Sequence, residues 1–129
     1  MNPERREITE GWIHKAESDL AYANLGLSSG DSYRAGAVYH CHQTAEKALK
    51  ALLCFYGIIP PKTHDLVRLI EILSPHVDLT DFAGASVFLT PLATDFRYPG
   101  DQEEPTGEDA KLAFDYAQGI LVKVRELIS

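Results

Sequence analysis

Between Tyr33 and Tyr56, the residues Val38, Cys41, Ala45, Ala48, Leu49, Leu52 and Phe55 recur mostly at three- and four-residue intervals. That spacing belongs to one face of an α-helix, and a run this long makes it the longest element and the spine of whatever the chain builds. Its partners are spaced in the same way. From about Thr9 to Leu27, Trp12, Ala16, Leu20, Ala23 and Leu27 form a helical stripe. "GLSSGDS" (26–32) then breaks the pattern, with Asp31 or Ser32 in position to cap the long helix. Gly57 and the Pro60-Pro61 pair stop it. Thr63 is expected to cap a short helix over 64–73, which ends at Ser74-Pro75. A fourth helix is predicted over 79–96, with a kink or break at Pro91. "YPGDQEEPTG" is the longest connection. Thr106, followed by Glu108 and Asp109, starts a last helix striped by Ala110, Ala113, Phe114, Ala117, Leu121, Val124 and Ile128.

The only β-prone run, "ASVFLT" (85–90), sits within helical periodicity. The expected architecture is therefore a single all-α domain over 1–129, an antiparallel up-down bundle of four long helices plus one short helix. With 45% hydrophobic residues the chain has enough apolar mass for one core. A net charge of −7 argues against a broad basic face for nucleic acid and leaves room only for a local anion pocket. Cys41 and Cys54 lie on different faces of one helix, which keeps them apart as reduced thiols. "MNPERREITEGW" carries charges where a signal peptide needs an apolar core, and no run approaches membrane-spanning length. A cytoplasmic protein with no membrane partner is expected.

His40, Cys41 and His42 invite a metal reading that helical geometry opposes. Adjacent residues diverge by about 100° on a helix, and ligands on one helix belong three or four positions apart. No metal site and no cofactor are expected. Gln43, Lys47 and Lys50 project opposite the apolar stripe, with His40 at its edge. They read as a solvated face or as a groove in which Gln43 and Lys47 meet a phosphate. Alanines at 35, 37, 45 and 48 allow another helix to approach closely, within the chain or across a dimer.

"HQTAEKALKALL", "PPKTHDLVRLIEIL" and "DFRYPGD", in that order before a final amphipathic helix, closely resemble the HEPN family, the higher eukaryote and prokaryote nucleotide-binding domain. The resemblance spans essentially the whole chain. It implies a helical bundle, commonly a homodimer, in which the long second helix and the region around the arginine form a shared cleft. Many bacterial members are encoded beside a minimal nucleotidyltransferase in a two-component module, often of toxin–antitoxin type. Others bind nucleotides, and a large subset are metal-independent ribonucleases carrying Arg-x(4–6)-His on a late helix.

Metal-free RNA cleavage needs a proton shuttle and a cation for the charge developing at phosphorus. Arg97 stands at the position resembling the motif's arginine, but Asp101, Gln102, Glu103 and Glu104 follow it where histidine is required. The nearest substitute, Arg34 with His40, lies on the second helix. No catalytic residue is assigned, and RNA is a partner only if this chain is a ribonuclease after all. A nucleotide ligand is expected at Gln43, Lys47, His64, Arg97 and Tyr98. A guanidinium grips phosphate through two donors and a tyrosine ring stacks on a base. Arg97 can equally pair with Asp101 or Glu104 while Tyr98 plugs the bundle end. His64, beside Lys62, can contact phosphate or brace the Pro60-Pro61 loop.

Overall fold

A computed structural model of the protein describes residues 1–94 and 104–129. Among these, the chain forms five α-helices and no strand: α1 (Pro3–Ser28), α2 (Arg34–Phe55), α3 (Leu66–Leu73), α4 (Ala83–Leu89) and α5 (Gly107–Ile128). Single 3-10 turns over Asp31–Tyr33, Thr80–Phe82 and Thr90–Ala93 flank α2 and α4. No helix among the described residues is long and apolar enough to cross a membrane.

Contacts along α1 and α2 fix their direction. Gly26 meets Ala37, Asp19 meets His40 and Lys47, and Gly57 just past α2 meets Arg5. Numbers fall on one helix as they rise on the other, so the pair is antiparallel. The same logic sets α4 against α5, since Phe82 meets Gly119 and Phe88 meets Tyr116. Arg34 at the start of α2 meets Gly107 and Pro105 at the start of α5, so α1, α2, α4 and α5 run up, down, up, down, as expected, although α4, expected to be long, spans only Ala83–Leu89. α2 lies in the middle, packed by α1, α3, α5 and the Thr90–Ala93 turn. Its core stripe is the expected one: Val38, Cys41, Ala45, Ala48, Leu49 and Leu52 are all buried, with Phe55 half-buried at the end. Each fully buried leucine contributes about 1.5–3 kcal/mol. Ala37 serves packing within the chain, since a Cβ on Gly26 would stand 3.1 Å from its own.

Helix ends follow local chemistry. α1 begins six residues before the expected start at Thr9, because the Asn2 side chain accepts from the Arg5 N–H at 2.7 Å and Pro3 occupies the first turn. α2 has no side-chain cap; Asp31, expected as one, instead pairs with Arg34 at 2.6 Å. Gly57 ends α2 at φ +79°, a left-handed conformation that favours glycine. The α3 cap is Asp65, not Thr63. Asp65 Oδ1 accepts from Val67 and Arg68 N–H at 3.0 and 3.3 Å, while Thr63 Oγ1 accepts from the Asp65 N–H and shapes the turn before it. The fourth helix is α-helical only to Leu89 and tightens into the 3-10 turn containing Pro91, which has no N–H to continue the ladder. Thr106 caps α5 as expected, accepting from the Asp109 N–H at 3.0 Å.

Asp65→Ala is expected to cost about 1 kcal/mol of unfolding free energy, and Thr63→Ala clearly less. Urea denaturation of the two variants checks the order.

Candidate functional site

Two polar networks cross α2. The first faces α1. Asp19, one-tenth exposed, accepts from His40 through Oδ1 at 2.8 Å and from Lys47 Nζ through Oδ2 at 2.5 Å. His40 and Lys47 are seven residues apart and so share a face of α2. Because a carboxylate can only accept, the neutral His40 ring carries its proton on Nδ1 and leaves Nε2 as an acceptor. The ring stacks on Tyr22, with centroids 5.3 Å apart and 24° between planes, and meets Tyr39 edge-on. His40, Tyr22, Tyr33, Ser29, Leu25 and Gly36 surround an open cavity of about 510 Å³. Tyr22 and Tyr33 are both more than half exposed at its rim. Gly36 has nothing within 4 Å of where a Cβ would stand, so its backbone is open to that space.

The second network is buried between α2 and the connection before α3. Glu46, 5% exposed, accepts from Lys50 Nζ at 3.0 Å and from His64 Nδ1 at 2.7 Å. The His42 side chain is fully buried. Its Nε2 donates to the His64 carbonyl at 2.8 Å and its Nδ1 accepts from Gln43 Nε2 at 3.3 Å. Lys50 Nζ lies 5.7 Å from the Trp12 ring centroid. Burial holds His42 below its ordinary titration range, although the His64 carbonyl and Glu46 oppose the shift. Burial also pushes the Cys41 thiol up to about 12 and raises Cys54, so both free cysteines are protonated and unreactive at neutral pH.

The expected site residues divide among these networks. Lys47 and Gln43 do not form a solvated face: Lys47 is ion-paired and three-quarters buried, while Gln43 and Lys50 lie in the interior. The reason is tertiary, since α1 and the 57–65 connection cover what would otherwise be the polar side of an isolated amphipathic helix. His64 braces the connection through Glu46 and His42 while its own ring stays 69% exposed. Arg97 and Tyr98 lie outside the described residues. Arg34 and His40 do not converge. Arg34 is engaged by Asp31 and the Pro105 carbonyl, His40 by Asp19 and Tyr22. Among the described residues no group of three or more His, Cys, Asp or Glu is placed to hold a metal ion.

The sequence reading missed Asp19, Tyr22, Tyr33 and Glu46. The only signal for Asp19 was its register with the apolar stripe, three residues after Ala16 and four before Ala23, and for Glu46 a charge among residues that α2 buries.

Comparison with known proteins agrees with this architecture. The HEPN domain family matches residues 9–127, so the chain belongs to that family. A crystal structure of TT1696 from Thermus thermophilus superposes with a TM-score of 0.82 at 31% identity, covering 92% of this chain and 96% of that one. An archaeal HEPN homologue superposes with a TM-score of 0.75, also at 31% identity, over 94% of this chain and 98% of its own. No curated protein matches the chain.

The buried His42 makes a prediction of definite sign. Its folded form resists protonation, so its contribution to stability is complete above the ordinary histidine pKa of 6.5. It is lost as pH falls below that value, where the unfolded chain takes up a proton that the folded chain refuses. Unfolding free energy should fall from pH 7.5 to 5, with at most about 1.4 kcal/mol per pH unit due to this one proton. His42→Gln is expected to be less stable at pH 7.5 and to lose that part of the slope. Parallel urea titrations of both proteins measure the difference.

Proposed function

We propose that this HEPN-domain protein is a non-catalytic, nucleotide-binding accessory partner of a minimal nucleotidyltransferase in a two-component module of toxin–antitoxin type, working as a homodimer. The observation that carries the nucleotide part is the α1–α2 cavity. Two exposed tyrosines offer stacking surfaces, and His40 presents a free acceptor beside them, oriented by Asp19. Such a site suits a base, whose exocyclic amine donates to His40 Nε2 while its ring lies on a tyrosine face. Lys47 stands two turns along the same face of α2 and is assigned the phosphate, sharing its charge with Asp19. Arg97 and Tyr98 are assigned to the same ligand as further phosphate and base contacts. Gln43 and His64 lie outside the cavity lining and bond within the Glu46–His42 network instead, so the ligand is assigned to the other three, Lys47, Arg97 and Tyr98.

The ribonuclease alternative is less favoured, because its substitute pair, Arg34 and His40, is turned to different neighbours. A purely structural interaction module remains the third reading. It predicts that Arg97→Ala and Lys47→Ala leave partner affinity unchanged.

Calorimetry with ATP, GTP, CTP and UTP tests the proposal. Binding should weaken about tenfold in Tyr22→Ala, the loss of roughly 1–3 kcal/mol for one stacked base, and clearly in Lys47→Ala. Absence of heat at millimolar nucleotide, with and without the transferase encoded alongside, overturns the nucleotide claim. RNA cleavage in EDTA that vanishes in His40→Ala would establish the ribonuclease instead.

A further inference from the structure

At the opposite end of the α1–α2 seam lies a second cavity of about 240 Å³ whose chemistry differs from the first. Ile8 and Trp12 of α1 form one wall, and Ile58, Ile59 and Gly57 after α2 form the other. Ile8 is 52% and Ile59 90% exposed, so the mouth is an apolar surface open to water. The one charged group in the lining is Arg5. Its Nε is buried and has no hydrogen-bond partner, and no ion pair engages its guanidinium among the described residues. A buried donor left unpaired is destabilising, and interiors almost always satisfy one. Arg5 also occupies the first turn of α1, where the helix dipole disfavours a cation and an anion would be welcome. The backbone makes room for it. A Cβ on Gly57 would lie 2.9 Å from Arg5 Nη1, so a side chain there would push the guanidinium from its place.

An arginine held unpaired against apolar walls is complementary to a ligand with one negative group and a hydrocarbon body. The charge would engage Arg5 and the body would cover Ile8, Trp12 and Ile59. The volume is below the roughly 300–1,000 Å³ of sites for drug-sized ligands, which points to a short chain or a single ring. A carboxylate fits better than a phosphate dianion, because desolvating two charges against one guanidinium in an apolar site is the costlier exchange. We propose that this cavity binds a small amphipathic monocarboxylate, with Arg5 as its anion contact and Trp12 and Ile59 as its apolar contacts. The site is separate from the nucleotide cavity and does not depend on it.

Trp12 is the chain's only tryptophan and so reports directly on occupancy. Octanoate is expected to shift its emission saturably and to raise the melting temperature. Acetate, octanol and octylamine at equal concentration should do so far less. Arg5→Gln should weaken octanoate about tenfold or more while leaving the weak octanol response unchanged. If that variant fails to fold, Gly57→Ala, which displaces the guanidinium, should show the same selective loss. Octanol matching octanoate on the wild-type protein, or unaltered octanoate affinity in both variants, overturns the proposal. So does an unmoved emission at millimolar octanoate. A dimer in sedimentation that Ile59→Asp splits would show the groove to be an interface and would likewise overturn it. Nucleotide calorimetry on Arg5→Gln should match wild type, so that the two sites fail or stand independently.

Discussion

Enclosure of α2 is the constraint on which the rest of the structure depends. A helix covered on every side must bury whatever its sequence carries, and this one carries Glu46, Lys50 and His42. Buried charges are tolerable only when paired and hydrogen-bonded. Glu46 answers that need with two donors, Lys50 from its own helix and His64 from the next connection. The His64 carbonyl then accepts from His42, so one residue closes both demands. Two residues on, the Leu66 N–H donates to Thr90 Oγ1 at 3.1 Å. A line of polar contacts thus runs from the centre of α2 through the start of α3 to the end of α4. It ends at Thr90, where α4 gives way to the 3-10 turn, and so ties the start of α3 to the end of α4.

The α1–α2 seam shows how packing creates sites. In its middle the Asp19 pairs draw the helices together, and towards one end Gly26 lies against Ala37. At one end the helices are joined through Gly30, at φ +114°, and at the other the connection leaving α2 towards α3 turns on Gly57, at φ +79°. A cavity opens near each. The one near Gly30 is lined by tyrosines and a histidine oriented by a carboxylate, the one near Gly57 by isoleucines and an unpaired arginine. The two ends of one helix pair thus present different chemistry, aromatic and histidine-bearing at one and aliphatic with an arginine at the other.

Helical periodicity made the fold legible, because every long element buries a stripe and the stripes of α2 and α5 were read nearly residue by residue. Local capping chemistry was legible at Thr106 but not at Asp65, where Thr63 and Asp65 are both able to cap and only the backbone geometry separates them. The site was less legible for a physical reason. Projecting α2 as an isolated amphipathic helix puts Gln43, Lys47 and Lys50 in solvent, yet α1 and the 57–65 connection cover them. Asp19 joins His40 across 21 residues and His64 joins Glu46 across 18, and no local pattern encodes either meeting. An acid set on the apolar stripe, as Asp19 is between Ala16 and Ala23, was the one clue that a cation or a histidine had to be waiting opposite.

The fate of Arg34 and His40 shows what spacing by itself leaves undetermined. Six residues along an α-helix amount to roughly 600° of rotation and about 9 Å of rise, so two such side chains leave the helix about 120° apart. Neighbours decide the rest. Arg34 lies at the α5 end of the bundle, against the Pro105 carbonyl and Asp31, where its charge also serves the chain's entry into α2. His40 is turned onto α1, its Nδ1 committed to Asp19 and its ring to Tyr22. A nuclease needs the cation and the proton shuttle on the same phosphate at the same moment. Here a single helix sends them to different sides of the molecule, and what remains at His40 is a ring oriented by Asp19 beside two tyrosines, a geometry with no means of cutting a strand through Arg34.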